Sequence, residues 1–302
     1  MPRFNFPTHD SDLIGAHLST KGGLPTVFER AKKVNAASIA IFSKNSGQWK
    51  AKELLAEDCR EFDAERRACG GQPLAIHASY LINLATTNGE FFRKSIDAMV
   101  VELDRASRLG AYALVLHPGA HVGQGRDRGI DQIARSLDLI HEMLSPCGVT
   151  TLLETSAGQG SCLGCTFEDL ADIIRLVDDK SRVGVCIDTC HIFAAGYDIR
   201  KKVGYDETMA RLEETVGIEN VGAIHLNDSK KPLGSRVDRH EHIGAGEIGL
   251  DAFGFLLNDP RFTGVPKMIE TPKPDPFEDD IRNLTLLRSL IGRKRKRRAT
   301  RG

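Results

Sequence analysis

The 302-residue sequence has no uninterrupted apolar run near the roughly 18 residues that a membrane helix needs. Its start, MPRFNFPTHDSD, lacks the apolar core of a secretory signal. Membrane insertion and export are therefore not expected, and a cytoplasmic location is. The chain also has no even set of cysteines. There are seven, at 59, 69, 147, 162, 165, 186 and 190, so with no export signal a disulfide framework is not expected, and most should be reduced small hydrophobes. No linker of Pro, Gly and Ser divides the chain, which argues for one domain. Nor is there a net charge, because 41 Lys plus Arg balance 41 Asp plus Glu. The balance conceals a closing run of cations, Arg293, Lys294, Arg295, Lys296, Arg297 and Arg298, which repel one another and rarely pack. What remains, 41% hydrophobic and 27% charged residues, suits a globular chain able to bury a full core.

Short apolar runs alternate with longer amphipathic segments from residue 13 to 292, which is βαβα patterning. The strand-like runs are 13–19, 38–43, 74–79, 113–119, 150–156, 183–191, 221–228 and 266–272. Helices are expected between them, for example over 90–110, closed by Gly110, and over 130–145. Eight such pairs predict an α/β fold, a closed (β/α)8 TIM barrel over residues 1–292, followed by a basic tail at 293–302. A doubly wound open sheet fits less well, since it needs fewer repeats or a domain break. One connection, 229–248, exceeds the usual length of about 2–6 residues between such elements, and long loops of this kind are often functional.

Nearly every apolar run ends in a residue able to bind a metal. His77 closes the third, His117 the fourth, Glu154 the fifth, Asp188 and His191 the sixth, His225 the seventh and Glu270 the eighth, while Asp238 and His240 lie in the long loop. In such a barrel the C-terminal strand ends share one face, so residues far apart in sequence converge there. Any one of them alone is as well explained by a backbone hydrogen bond. Together, with no Arg or Lys at these positions, they would be costly to bury without cations. Five imidazoles with four carboxylates suit zinc best, with manganese as an alternative, and exceed one tetrahedral centre. A set this large can hold two or three metals, which points to hydrolysis of phosphate esters.

Two other patterns are read as structural. Gly244-Ala245-Gly246-Glu247-Ile248-Gly249 matches a dinucleotide-binding pattern by letter, but it follows a charged loop rather than a first strand. Its glycines are expected to shape the loop carrying Asp238 and His240. Cys162 and Cys165 with Cys186 and Cys190 have the spacing of a thiolate zinc site, but the first pair sits in a Gly-rich turn without a matching knuckle. His121, separated from His117 by Pro118 and Gly119, is placed behind the ligands.

The runs around these residues resemble the endonuclease IV family of apurinic/apyrimidinic-site endonucleases over most of the chain, from Ile14 to about Leu290. The matching stretches are GAHLS, HASYLINLA (77–85), LHPGAH (116–121), LLETSAGQGS (152–161), DTCHIFAAGYD (188–198), HLNDSKKPLGSRVDRHEHIGAGEIG (225–249) and IETPKP (269–274). The resemblance implies a (β/α)8 barrel with three zinc ions, manganese sometimes substituting, that cuts the phosphodiester 5′ to an abasic nucleotide in double-stranded DNA. It implies that all nine residues are ligands, that Glu154 bridges two metals, and that Glu154 and Glu270 are catalytic. Tyr80 and Leu81 match positions that insert into DNA at the lesion. SKNSGQW (43–49) resembles a segment that often carries Arg where this chain has Gly47, so a cation is missing there. A monomer is implied, associated with the nucleoid in a bacterium, or nuclear in a eukaryote on account of the tail. A metal-dependent sugar isomerase or epimerase on the same barrel, and a non-catalytic DNA-binding protein, are the competing readings.

Overall fold

The aliphatic runs become strands because they are buried on both faces, as parallel strands covered by helices must be. The strands are β1 (Ile14–His17), β2 (Ile39–Ile41), β3 (Leu74–His77), β4 (Ala113–Leu116), β5 (Thr150–Glu154), β6 (Val183–Asp188) and β7 (Val221–His225). There follow the short pair β8 (Asp228–Ser229) and β9 (His240–Glu241), and finally β10 (Lys267–Ile269). In this computed structural model, which describes residues 4, 6, 13–275 and 277–292, eight parallel strands close in the order β1-β10-β7-β6-β5-β4-β3-β2. The expected TIM barrel is thus the observed one. The basic run at 293–298 lies outside the described residues. Among the described residues no helix is long and apolar enough to cross a membrane.

The helix expected over 90–110 spans Gly89–Arg108, and Asn88 caps it by accepting from the amides of Glu90 and Phe91. Its buried Ile96, Met99, Leu103 and Ala106 recur at helical spacing and face the barrel. The helix expected over 130–145 begins earlier and spans Arg126–Met143. The run 183–191 is not one strand. β6 stops at Asp188, whose Oδ1 accepts from the His191 amide at 2.9 Å and so starts the helix Thr189–Ala195. The long connection is not irregular throughout, since β8 and β9 pair in it as an antiparallel ribbon.

Small residues line the barrel interior: Ala40, Ala75, Ala113 and Ala223 with Val115, Leu152, Cys186 and Met268. Phe4 closes the N-terminal end, its ring lying where a Cβ at Gly222 would approach within 2.9 Å. At Gly15 the backbone just before β2 comes closer still, since an added Cβ would stand 1.7 Å from the Ser38 carbonyl oxygen. Gly15→Ala must therefore push two paired strands apart. It is expected to destabilise the protein by about 3 kcal/mol or more, lowering Tm by several degrees in a melting scan. An unchanged Tm would contradict this register.

Candidate metal centre

The nine strand-end and loop residues meet at the C-terminal mouth of the barrel. Three groups, each with donor atoms within 4.8 Å of one another, are made of these nine alone: His77, His117 and Glu154; Glu154, Asp188, His225 and Glu270; and His191, Asp238 and His240. Glu154 belongs to two of these three. Its Oε2 lies 3.0 Å from His77 Nε2 and 3.5 Å from His117 Nε2, and its Oε1 lies 2.8 Å from His225 Nδ1. The third group closes around Asp238, 3.3 Å from His191 Nε2 and 3.2 Å from His240 Nε2. Depth grades across the mouth. Glu154, Asp188 and His225 are fully buried at its floor, whereas the side chains of His117 and Asp238 remain 31% and 38% exposed at its rim.

Backbone acceptors decide which ring nitrogen each imidazole presents. The Nδ1–H of His77 donates to the Ala78 carbonyl, that of His191 to Thr155 and that of His240 to Glu270, at 2.8, 2.8 and 3.1 Å. Each therefore turns its Nε2 into the mouth, the orientation that outer hydrogen bonds impose on metal-binding histidines. His225 is reversed, with Nδ1 toward the carboxylates and 3.3 Å from Glu270 Oε2. The donor set suits divalent metals of the zinc and manganese kind in number, type and orientation.

The neighbouring carboxylates, rather than depth alone, set the charge on each ring. Burial disfavours charge on the imidazoles, yet Asp188, Asp238 and Glu154 raise His191 to about 10, and Asp188 with Asp238 raises His240 to about 9. Against the same burial, His225, His117 and His77 hold the Glu154 carboxyl well below the ordinary range. His117 differs. Burial outweighs its contact with Glu154, and it falls to about 4, leaving the ring neutral at pH 7.

Three residues of the site were not among those picked out from the sequence. His17, at the end of β1, lies 2.7 Å from Glu270 Oε1 through its Nδ1. Asn227 donates to Asp188 Oδ2 at 2.6 Å and accepts from the Glu270 amide at 2.7 Å, tying two carboxylate-bearing segments together. Asp228, fully buried, accepts from the amides of Ser229, Gly244, Gly246 and Ile248 and pins the ribbon that carries Asp238 and His240. A Cβ at Gly246 would stand 2.4 Å from the Ser229 carbonyl oxygen, so the glycine pattern there serves the loop. His17 occupies the same strand-end position as His77, and that was the available signal. Asn227 and Asp228 carry no pattern of their own.

Among the described residues, neither Cys162 nor Cys165 joins a donor group, so the four cysteines form no common site; Cys186 groups with Glu154 and His225, and Cys190 with Asp188 and His240, while His121 accepts from the Gly125 amide. Tyr80 stands 61% exposed over the mouth, its ring 5.5 Å from that of His77 and 6.1 Å from that of His117, with Leu81 half-buried beside it. It separates two cavities of ligand size. One, of about 480 Å³, is lined by His17, Lys44, Glu270 and Lys273. The other, of about 410 Å³, is lined by Asn83, His117, Gln159, His191 and Asp238. Gly47 is exposed, and a Cβ there would make only ordinary contact with Asn45.

Residues 28–289 match the family described as xylose isomerase-like TIM barrel. A "Probable endonuclease 4" of Chloroflexus aggregans is 49% identical over 294 residues, covering 96% of this chain and 98% of its own length. One of Geobacter sulfurreducens is 44% identical over 284 residues, covering 94% and 96%. The crystal structure of endonuclease IV from Thermus thermophilus superposes with a TM-score of 0.80 at 35% identity, covering 92% of this chain and 98% of that one. A D-tagatose 3-epimerase-like protein, at a TM-score of 0.68 and 19% identity, shares the fold alone.

Proposed function

Because this chain belongs to the endonuclease IV family of xylose isomerase-like TIM barrels, we propose that it is a DNA-repair endonuclease acting on duplex DNA with abasic sites. It hydrolyses the phosphodiester 5′ to the lesion, leaving a 3′-hydroxyl and a 5′-deoxyribose phosphate. The observation that carries this reading is Glu154, shared between two of three adjoining donor groups that together contain all nine candidate residues. These groups would hold three zinc ions, with manganese able to replace one or more. Such ions, when bound, activate water near neutral pH and stabilise charge on the attacking and leaving oxygens.

The chain's own residues prepare that chemistry. Glu154 and Asp188 supply negative charge at the floor, where His77 and His225 already balance it. Glu270, less buried and bordering the 480 Å³ cavity, would orient the attacking water. Tyr80 and Leu81 would enter the duplex and hold the damaged nucleotide out of the stack. Tyr80→Ala is expected to lower kcat/KM about tenfold or more on an intact duplex, and far less where the lesion lies in an unpaired bubble. Equal losses on both substrates would remove Tyr80 from that role.

The deciding test is cleavage of a labelled duplex bearing one abasic-site analogue, beside metal analysis of the purified protein. A single cut just 5′ to the lesion, with three zinc ions per chain, is the expected result. Full metal content without a cut would overturn the nuclease reading and direct attention to sugar substrates.

A further inference from the structure

We infer that His17 is a positioning residue for Glu270, holding one carboxylate oxygen so that only the other faces the donor cluster. The inference rests on the reading of Glu270 as a metal ligand. Glu270 lies one residue beyond β10, where the barrel ladder no longer fixes the backbone, and Pro272 and Pro274 follow it. Neighbours take over from the ladder. The Glu270 amide donates to Asn227 Oδ1 at 2.7 Å, and its carbonyl accepts from His240 Nδ1 at 3.1 Å. The carboxylate itself is oriented by His17. An ionised carboxylate can only accept, so the 2.7 Å contact requires His17 Nδ1 to carry the hydrogen. With Oε1 so engaged, Oε2 is left 3.3 Å from His225 Nδ1, inside the group formed with Glu154 and Asp188.

Two further observations argue against a packing role. The register of β1 on β10 pairs Ala16 with Ile269, so His17 and Glu270 follow side by side at the strand ends as a consequence of the barrel closure itself. His17 also leaves Nε2 buried without a hydrogen-bond partner among the described residues, while its ring packs on Phe42 at 4.5 Å between centroids. An apolar ring would fill that space without desolvating a nitrogen. A ring nitrogen kept there serves as the donor to Glu270, and hydrogen bonds to ligating carboxylates are what tune a metal site from outside it.

The test compares His17→Phe, which keeps a ring but removes the donor, with His17→Asn, whose amide can replace the Nδ1–H. Three quantities are measured on zinc-loaded protein: zinc release to excess chelator, Tm, and kcat and KM on an abasic duplex. For His17→Phe we expect release of zinc accelerated about 10–100-fold, kcat lowered by a similar factor, KM within about twofold, and Tm within a few degrees of the parent. His17→Asn should stay within about threefold of the parent in all of them. Zinc retention and kcat at the parental level in His17→Phe, or His17→Asn as impaired as His17→Phe, would overturn the assignment. Should His17→Phe not fold, His17→Ala beside His17→Asn gives the same comparison. A parent protein that binds zinc but leaves abasic DNA intact would overturn only the nuclease reading, because zinc release is measured without DNA.

Discussion

Glu154→Gln is expected to lower turnover of an abasic duplex about a thousandfold or more while the barrel stays folded. The substitution keeps shape but removes a charge that three imidazoles approach within 3.5 Å. It also replaces one accepting oxygen with an NH2 group aimed at a ring, so donors face each other in a fully buried position. Two donor groups lose their shared member at once. Several kcal/mol of charge stabilisation then disappear from the mouth, and each 1.4 kcal/mol or so is a factor of ten in rate. The barrel should survive, because Glu154 is the last residue of β5 and the ladder beneath it is untouched. Far-UV circular dichroism like that of the parent, together with lost cutting, is the anticipated pair of results. Near-normal turnover would sink the assignment of Glu154 as the shared ligand.

Exhaustive chelation is expected to reduce cutting to background, zinc to restore it, and zinc affinity to depend steeply on pH. His191, raised to about 10, and His240, raised to about 9, carry protons at pH 7 when only carboxylates surround them. His77 and His225 are raised as well. Zinc binds the neutral ring, so each ion must expel protons, and falling pH favours the protonated competitor. Affinity should therefore weaken as pH falls from 8 to 6, by about tenfold per unit for each proton displaced. His117, lowered to about 4, adds nothing to that slope because its ring is already neutral across the window. Competition with a chelator of known affinity at pH 6, 7 and 8 measures the slope directly. A flat profile would mean that the imidazoles are not the groups zinc engages.

Much of this site was visible in one dimension for a simple reason. A parallel barrel sends every strand's C-terminal end to the same face, so a polar residue closing an aliphatic run is already located in space. His77, Glu154, Asp188 and His225 could be placed in the mouth on that basis alone. The boundaries were less legible, because the sixth run reads as extending to His191, whereas the strand stops at Asp188, whose side chain caps the next helix. His17 ends a run too, but the choice between ligand and supporting donor depends on what stands opposite, and that is Glu270, 253 residues away.

The sequence by itself thus determined the eight-stranded alternation, the side of the barrel that carries chemistry, and the donor types suited to zinc or manganese. These follow from hydrophobic period and residue chemistry, which are local properties. Only the tertiary structure decided that nine donors divide into three groups, that Glu154 joins two of them, and which nitrogen each histidine turns inward. It also decided that Asn227, Asp228 and His17 hold the ligand-bearing segments in place. Those are matters of distance between strands that close a barrel, set by register and by backbone carbonyls whose positions do not exist until the chain has folded.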